Sequence, residues 1–331
     1  MKIVTCHEDA FPALWKRLWV RQPSRPPMYT SLAYAFYRQR PADEGATLVD
    51  HSFVVVDGDK PVAGMQAATV AVGGRLDLRA YEVPLMVMED PDVIDRRNYR
   101  RHFLRHFETI LPAGRGSVFS RDPLENGQLS FFTSYLLQNG GVCTPTFLQV
   151  LDLTVTEEEL HRGIRKSYRS LVNWGERNLE IEILDSASQV EAGMAGFRTL
   201  HKEVAGRETR SPTSWQWQVE MIRAGEAFAV LARLEGRLVT AGFFMHTPSC
   251  CLYGSSASIR ELDKPLSHAT LWTAILHARS LRCSSFEMGE RLYPGQGTPS
   301  PKELGISLFK GGFGGATRVA LNIVWDRSKT E

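Results

Sequence analysis

Apolar positions along this chain change period several times, and each change marks an element. In HSFVVVDGDKPVAGMQAATVAV a β-branched run meets Asp57-Gly58 and resumes after Pro61, which predicts two strands joined by a tight turn. A third strand is expected over Tyr81 to Met88. Beyond Pro91 the period lengthens: Val93, Phe103, Phe107 and Ile110 recur near helical spacing, while Arg97, Arg101 and Arg105 fall four apart on another face. That pattern predicts an amphipathic helix with a basic stripe. GSVFSRDPLENG then reads as a strand entering a loop, LSFFTSYLLQNGGV as a helix stopped by Asn139-Gly140-Gly141, and TFLQVLDLTV as a strand.

The next segment predicts one helix opening at Thr156. Glu159 completes a capping box with it, Leu160, Ile164 and Leu171 form the apolar side, and Arg162, Arg165 and Arg169 project together elsewhere. The carboxyl half then repeats the grammar of the first. Helices are expected through MAGFRTLHKEV and around TSWQWQVEMI, and strands FAVLARLEG and RLVTAGFFMHT meet at a Glu235-Gly236 turn. Strand SCCLYGSSAS, helix LSHATLWTAILHARSL and strand SSFEMG form a βαβ unit, with VALNIVWD as a late strand. The result is a mixed α/β chain without a low-complexity linker.

At 331 residues the chain exceeds what one core usually serves, so two domains of similar size are expected. With 43% apolar and 23% charged residues, both have the composition of ordinary globular domains. A net charge of +2 does not by itself point to nucleic acid, although locally clustered arginines can form an anion-binding surface. Cys6, Cys143, Cys250, Cys251 and Cys283 are scattered without CxxC or a histidine at metal spacing, so they read as free thiols and no metal is implied. The apolar runs stop short of the roughly 20 residues a membrane span needs. Glu8 and Asp9 precede any leader-like stretch, so a cytoplasmic protein without an integral membrane segment is expected.

Several motifs sharpen the picture: Tyr253-Gly254-Ser255-Ser256, the helix with Trp272 and Ala278, the strand ending Glu287-Met288-Gly289, and Phe309-Lys310 before Gly311-Gly312-Phe313-Gly314. In that order they resemble the FemABX-like family, as does the arginine-rich IRKSYRSLVNWGERNLEIEI. The resemblance covers roughly residues 150 to 331; the first 150 match in layout only. It implies an α/β fold of two fused GNAT-like (acyl-CoA N-acyltransferase-like) domains, each a mixed sheet flanked by helices, divided as 1–150 and 151–331. It also implies amide formation with aminoacyl-tRNA as donor and an amine acceptor, either a small molecule or a peptidoglycan precursor. The coiled-coil arm of some members has no counterpart here, so contacts made through it are not implied.

Amide formation needs a neutral amine, a proton acceptor and donors for the tetrahedral oxyanion. A GNAT-like sheet supplies backbone N–H groups where two strands splay, here near Tyr253 to Ser256 and Phe286 to Gly289. Lys310, the lysine of the FK motif, is the leading catalytic candidate, as a cation for an oxyanion or phosphate; the alternative is a solvated lysine at a helix end. Glu287 and Glu290 are candidate proton acceptors, or partners in a structural salt bridge. Phe309, Tyr253 and Ser255 are placed at the substrate pocket, with a core role equally open for Phe309. Arg210 with Trp215, near Arg207, has the composition of a phosphate- or carboxylate-binding loop. Arg165 and Arg169 are placed against nucleotide phosphate, against the simpler reading of a solvated helix face. His246, His268 and His277 show no ligand spacing, and His268 reads as a capping or packing residue.

The donor follows from what the helix entry lacks. Coenzyme A enzymes of this superfamily hold the pyrophosphate on a glycine-rich turn before that helix. Here the turn reads SIRELDKPLSHAT, with no glycine between Ser255 and His268. No bound cofactor is therefore expected. Aminoacyl-tRNA is the preferred donor, an acyl-CoA bound differently is the alternative, and a non-catalytic GNAT-like binding protein is a second alternative. GGFGG matches neither a P-loop nor a dinucleotide fingerprint, and Ser255 and Ser256 lack a GxSxG context.

Overall fold

The computed structural model describes residues 1–72, 74–110 and 116–327. Two compact units emerge. The first takes Met1–Arg25, Tyr37–Thr146 and the chain from Val319 onward; the second takes Pro26–Phe36 and Phe147–Arg318.

The first unit contains β1 (Lys2–Thr5), α1 (Phe11–Trp19), most of α2 (Ser31–Asp43), β2 (Thr47–Asp50), β3 (Phe53–Asp57), β4 (Lys60–Gln66), β5 (Ala68–Val72), β6 (Arg75–Arg79) and β7 (Met86–Glu89). α3 (Arg96–Ile110), β8 (Ser117–Asp122) and α4 (Phe131–Gln138) follow. The expected Asp57-Gly58 hairpin joins β3 to β4, with Gly58 at φ 61°. Its strands order β1-β3-β4-β7 in one sheet. β2, β5 and β6 run antiparallel, and β6 pairs with β8 in parallel over only Asp77–Ser117 and Leu78–Val118. The strand expected from Tyr81 narrows to β7. Ala80 and Val83 exchange backbone hydrogen bonds, so the chain turns tightly there and holds Tyr81 at φ 58°. α3 buries Tyr99, Phe103 and Phe107 and leaves Arg97, Arg101 and Arg105 in solvent, as its period predicts. Val93 lies ahead of the helix, in a turn closed on the Asp90 carbonyl.

The chain enters the second unit within β9 (Val142–Asp152). α5 (Glu157–Gly163), α6 (Lys166–Asn178), β10 (Glu180–Leu184), α7 (Val190–Ala205) and α8 (Pro212–Arg223) follow. β11 (Ala227–Leu234), β12 (Arg237–Thr247), β13 (Cys250–Ser258), α9 (Leu266–Ser280), β14 (Ser285–Glu290), α10 (Pro301–Gly311) and β15 (Ala316–Asp326) complete the chain. The sheet of this unit runs β10-β11-β12-β13-β14-β9, antiparallel except for the parallel pair β13–β14. Glu235 and Gly236 both take positive φ, 52° and 77°, which the two-residue β11–β12 turn requires.

The single helix expected from Thr156 is two helices. The capping box forms as expected, but the chain breaks at Ile164, where ψ is 137°. Tertiary contact forces the break: the Arg165 N–H donates to the Gly312 carbonyl at 2.8 Å instead of to its own helix. Leu160, Ile164 and Val172 enter the core with Trp272, Ile275, Phe286 and Phe313, whereas Leu171 stays half-buried.

Candidate functional site

β13 and β14 are joined only at Cys251–Phe286 and Leu252–Glu287, and beyond those pairs no register links them. Two irregularities lie at the mouth of the opening. Gly254 is a bulge between the residues of β13 opposite Phe243 and Phe244, and Met288 is skipped between Glu287 and Gly289 in the pairing of β14 with β9. Bulges of this kind re-aim side chains at the end of a paired segment. Glu287, Gly289 and Glu290 stay paired with β9, opposite Val150, Gln149 and Leu148, while Gly289 and Glu290 have no partner on β13.

The last turn of α10 brings Lys310 to this place. A second capping box, Ser300 with Glu303, starts α10, with Pro301 at the first helical position. The hydroxyl of Ser307 anchors its middle: it accepts from the Leu292 N–H at 2.8 Å and donates to the Leu292 carbonyl at 3.2 Å. Arg291 donates to the Ser307 carbonyl at 2.9 Å and lies against Gly311, where a methyl group would collide with its guanidinium.

Lys310 Nζ sits 5.6 Å from the Tyr253 ring centroid. It is also so close to Gly289 that a Cβ there would approach it to 2.9 Å. Gly289 has φ 91°, so glycine serves both backbone and neighbour. The ammonium makes no ion pair or hydrogen bond with a described residue. Burial pushes its pKa down, and the nearby charges of Glu290 and Glu287 oppose that shift. Tyr253 stacks on Phe244 at 5.3 Å and donates to the Ser256 hydroxyl at 2.6 Å. Burial raises its pKa, the Ser256 contact opposing. Ser255 Oγ is buried without a hydrogen-bond partner. Lys310, Glu287, Glu290 and Tyr253 thus form one group, with a cation facing two carboxylates beside an opened strand pair.

Phe309 faces the other way, into an aromatic cluster with Tyr168, His268 and Phe313 at centroid distances of 6.0, 5.2 and 5.4 Å. Tyr168 also fills the space over Gly312, where an added Cβ would come within 2.1 Å of its ring. His268 packs rather than caps, since the N-cap of α9 is Pro265. Its ring nitrogens are buried without a partner in hydrogen-bonding geometry. Burial lowers its pKa, opposed by the Pro265 carbonyl. Neither Tyr168 nor Gly289 carries a sequence signal of its role, because both act on residues far away in the chain.

Of the expected phosphate contacts, Arg165 lies over the Tyr168 ring at 5.0 Å and leaves its guanidinium exposed. Arg169 is tied to the backbone, donating to the carbonyls of Ile164 at 3.1 Å and Arg162 at 2.5 Å across the α5–α6 break. Arg210 and Trp215 do meet, at 5.5 Å, in a separate group with His201 on α7 and α8. There Trp215 is buried and its N–H has no partner.

Among the described residues no group of histidine, cysteine and carboxylate side chains could hold a metal ion, all five cysteines are free thiols, and no helix is long and apolar enough to cross a membrane. No protein-family model and no curated protein matches the sequence. Solved structures do. FemX matches with a TM-score of 0.68 at 12% identity over 97% of each chain. A tandem GNAT protein from the clavulanic acid biosynthesis pathway matches at 0.55 and 13%, again over 97% of each chain. The C-terminal domain of a putative lysylphosphatidylglycerol synthetase from Agrobacterium fabrum matches at 0.53 and 14%, over 84% of each chain. The opened β13–β14 pair and these matches across nearly the whole length agree, and the chain has the FemX-like fold of two fused GNAT-like domains.

Proposed function

We propose that this protein is an acyltransferase that forms an amide where β13 and β14 part. The observation that carries the reading is Lys310 Nζ, held without an ion-pair partner among the described residues over Tyr253 and Gly289 at that opening. An acceptor amine, neutral when it attacks, adds to the donor's ester carbonyl. The amine's proton passes to Glu287 or Glu290 directly or through water, the C–O bond then breaks, and the same carboxyl returns the proton to the leaving oxygen, which departs as a hydroxyl. Lys310 faces the developing oxyanion or the donor's phosphate, and backbone N–H groups of the parted strands supply further donors. No covalent enzyme intermediate is required.

For the donor, aminoacyl-tRNA is the reading favoured by the α9 entry. Residues 259–265 contain no glycine, α9 begins at Leu266 behind Pro265, which provides no side-chain cap, and the turn that would cradle a coenzyme A pyrophosphate is replaced by Arg260, Asp263 and Lys264. The acceptor is an amine of a small molecule or a cell-wall precursor, and Arg165, exposed over Tyr168, is the candidate contact for the donor's phosphates. The likeness to a tandem GNAT protein keeps acyl-CoA as the second reading.

Purified protein is incubated with a charged-tRNA pool and candidate amines, with and without ribonuclease, beside an acyl-CoA panel monitored by thiol release. Ribonuclease-sensitive amide product supports the first donor; ribonuclease-insensitive thiol release moves the enzyme to the second. Lys310→Ala is expected to lower turnover by about tenfold or more, roughly 1.4 kcal/mol in barrier, with an unchanged melting temperature. Wild-type turnover in that variant would remove Lys310 from the mechanism.

A further inference from the structure

The last turn of α10 carries Lys310 to the opened strand pair, and it is held on two sides. Ser307 and Gly311 lie one turn apart on one face of the helix, Phe309 points the opposite way, and Lys310 projects between them. Phe309 packs against Tyr168, His268 and Phe313. On the other face Arg291, the first residue after β14, donates from its guanidinium to the Ser307 carbonyl at 2.9 Å. The same guanidinium fills the space over Gly311, where an added Cβ would collide with Nη1 and Cζ. Gly311 has ordinary helical backbone, so its missing side chain serves this close approach and not a left-handed turn. The backbone N–H of Arg291 donates to the Phe147 carbonyl at 2.7 Å, which ties the base of the side chain to β9. The rest of α10 is fixed without it: the Ser300–Glu303 box secures the start, and the Ser307 hydroxyl bonds both backbone groups of Leu292.

We propose that Arg291 is the positioning residue for Lys310: it braces the last turn of α10 against the end of β14 and so keeps Lys310 Nζ over Tyr253 and Gly289. Gly289 and Glu290 directly precede Arg291 in the chain, so a single side chain couples the helix of the cation to the strand of its carboxylates. Arginine suits this task because its planar fork can donate to a carbonyl and fill the space beside a glycine at once. A lysine, a point charge on a flexible stem, could do only the first. The inference rests on the role given to Lys310 above, and Arg291 acts through Lys310 without touching substrate.

Trace acetylation of the full chain by acetic anhydride across about pH 7–11, with the Lys310 peptide quantified by mass spectrometry, reads the pKa and accessibility of that amine without donor or acceptor. In the wild type, burial holds the pKa down against Glu290 and Glu287. Arg291→Ala should move it up toward about 10.4 and raise the limiting rate at high pH by about threefold or more. Gly311→Ala should do the same with Arg291 still present, since the methyl expels the guanidinium, and the double variant should be displaced no further than either single one. Should Arg291→Ala fail to fold, Gly311→Ala makes the comparison alone. In the amide assay each single variant should lower kcat by about tenfold with KM changed by less than about threefold. Displaced labelling with wild-type kcat would support the placement and count instead against the role of Lys310 in the reaction. A Lys310 profile unchanged in either single variant, a lowered melting temperature with that profile unchanged, or additive displacement in the double variant would overturn the proposal.

Discussion

Gly175→Ala tests whether α6 and α9 touch as closely as the structure requires. A Cβ on Gly175 would lie 2.4 Å from the Cβ of Ala269. Carbon atoms rest at about 3.5–4.0 Å, so the two helices would have to part by more than an ångström. Neither atom can rotate away, because both are fixed to backbone. Overpacking of this kind destabilises by about 1–3 kcal/mol, whereas replacing glycine inside a helix contributes about 1 kcal/mol in the opposite direction. The expected balance is a loss of up to about 2 kcal/mol, read as a lower urea midpoint at unchanged slope. Ala269→Gly removes the opposing methyl, so the double variant should recover a coupling of about 1–2 kcal/mol. The same interface seats Tyr168 beside His268, 4.5 Å between ring centroids, behind the helix that carries Lys310, so turnover should fall with Gly175→Ala and return in the double variant. Stabilisation by about 1 kcal/mol, the helix-propensity gain alone, or strict additivity of the two changes would refute the close approach.

Trp272→Ala should destabilise by about 3–5 kcal/mol, since the ring is 3% exposed within the core of the second unit; an unchanged thermal midpoint would contradict that burial. His246 gives a pH prediction. Burial, with the neighbouring His277 charge, lowers its pKa from 6.5 to about 4, so the folded state prefers the neutral ring. Its contribution is complete above pH 6.5 and is lost as pH falls toward 4, on the order of 2–3 kcal/mol in all. His246→Phe should flatten stability across that window, and a variant that stays as steep as wild type would assign the acid sensitivity elsewhere.

Local chemistry made much of this fold readable. The Thr156–Glu159 box, the Glu235-Gly236 turn and the apolar face of α3 involve residues within a few positions of each other, and all three form. The Ser300–Glu303 box that starts α10 has the same local signature. The break between α5 and α6 was not readable, because its cause is remote. The Gly312 carbonyl takes the Arg165 N–H, and Gly314 sits so near Gly163 that a Cβ would be 2.6 Å from the Gly163 carbonyl oxygen. The site divides in the same way. Lys310, Glu287, Glu290 and Tyr253 each stand out in the sequence and converge in space, whereas Tyr168, His268 and Gly289 matter only through neighbours supplied by the fold.

Both units contain a parallel strand pair joined over two residues, yet their charges are arranged differently. In the first unit the strand pairing resumes at Leu85–Ser120, and the nearby carboxylates are paired internally. Glu89 accepts from Arg100 at 2.7 and 2.9 Å and from the Tyr99 hydroxyl. Asp90, fully buried, meets Arg21 and Lys60 at 3.0 Å each. Such groups stabilise but have little capacity left for a ligand. In the second unit no further pairing joins β13 and β14 among the described residues, and Lys310 stands beside Glu287 and Glu290 with no ion pair to a described residue. A duplicated fold leaves open which copy performs chemistry. Unsatisfied charge at an opened strand pair favours the second, and neutralising Lys310 should therefore affect turnover far more than breaking the Arg100–Glu89 pair, whose loss should appear first as reduced stability of the first unit.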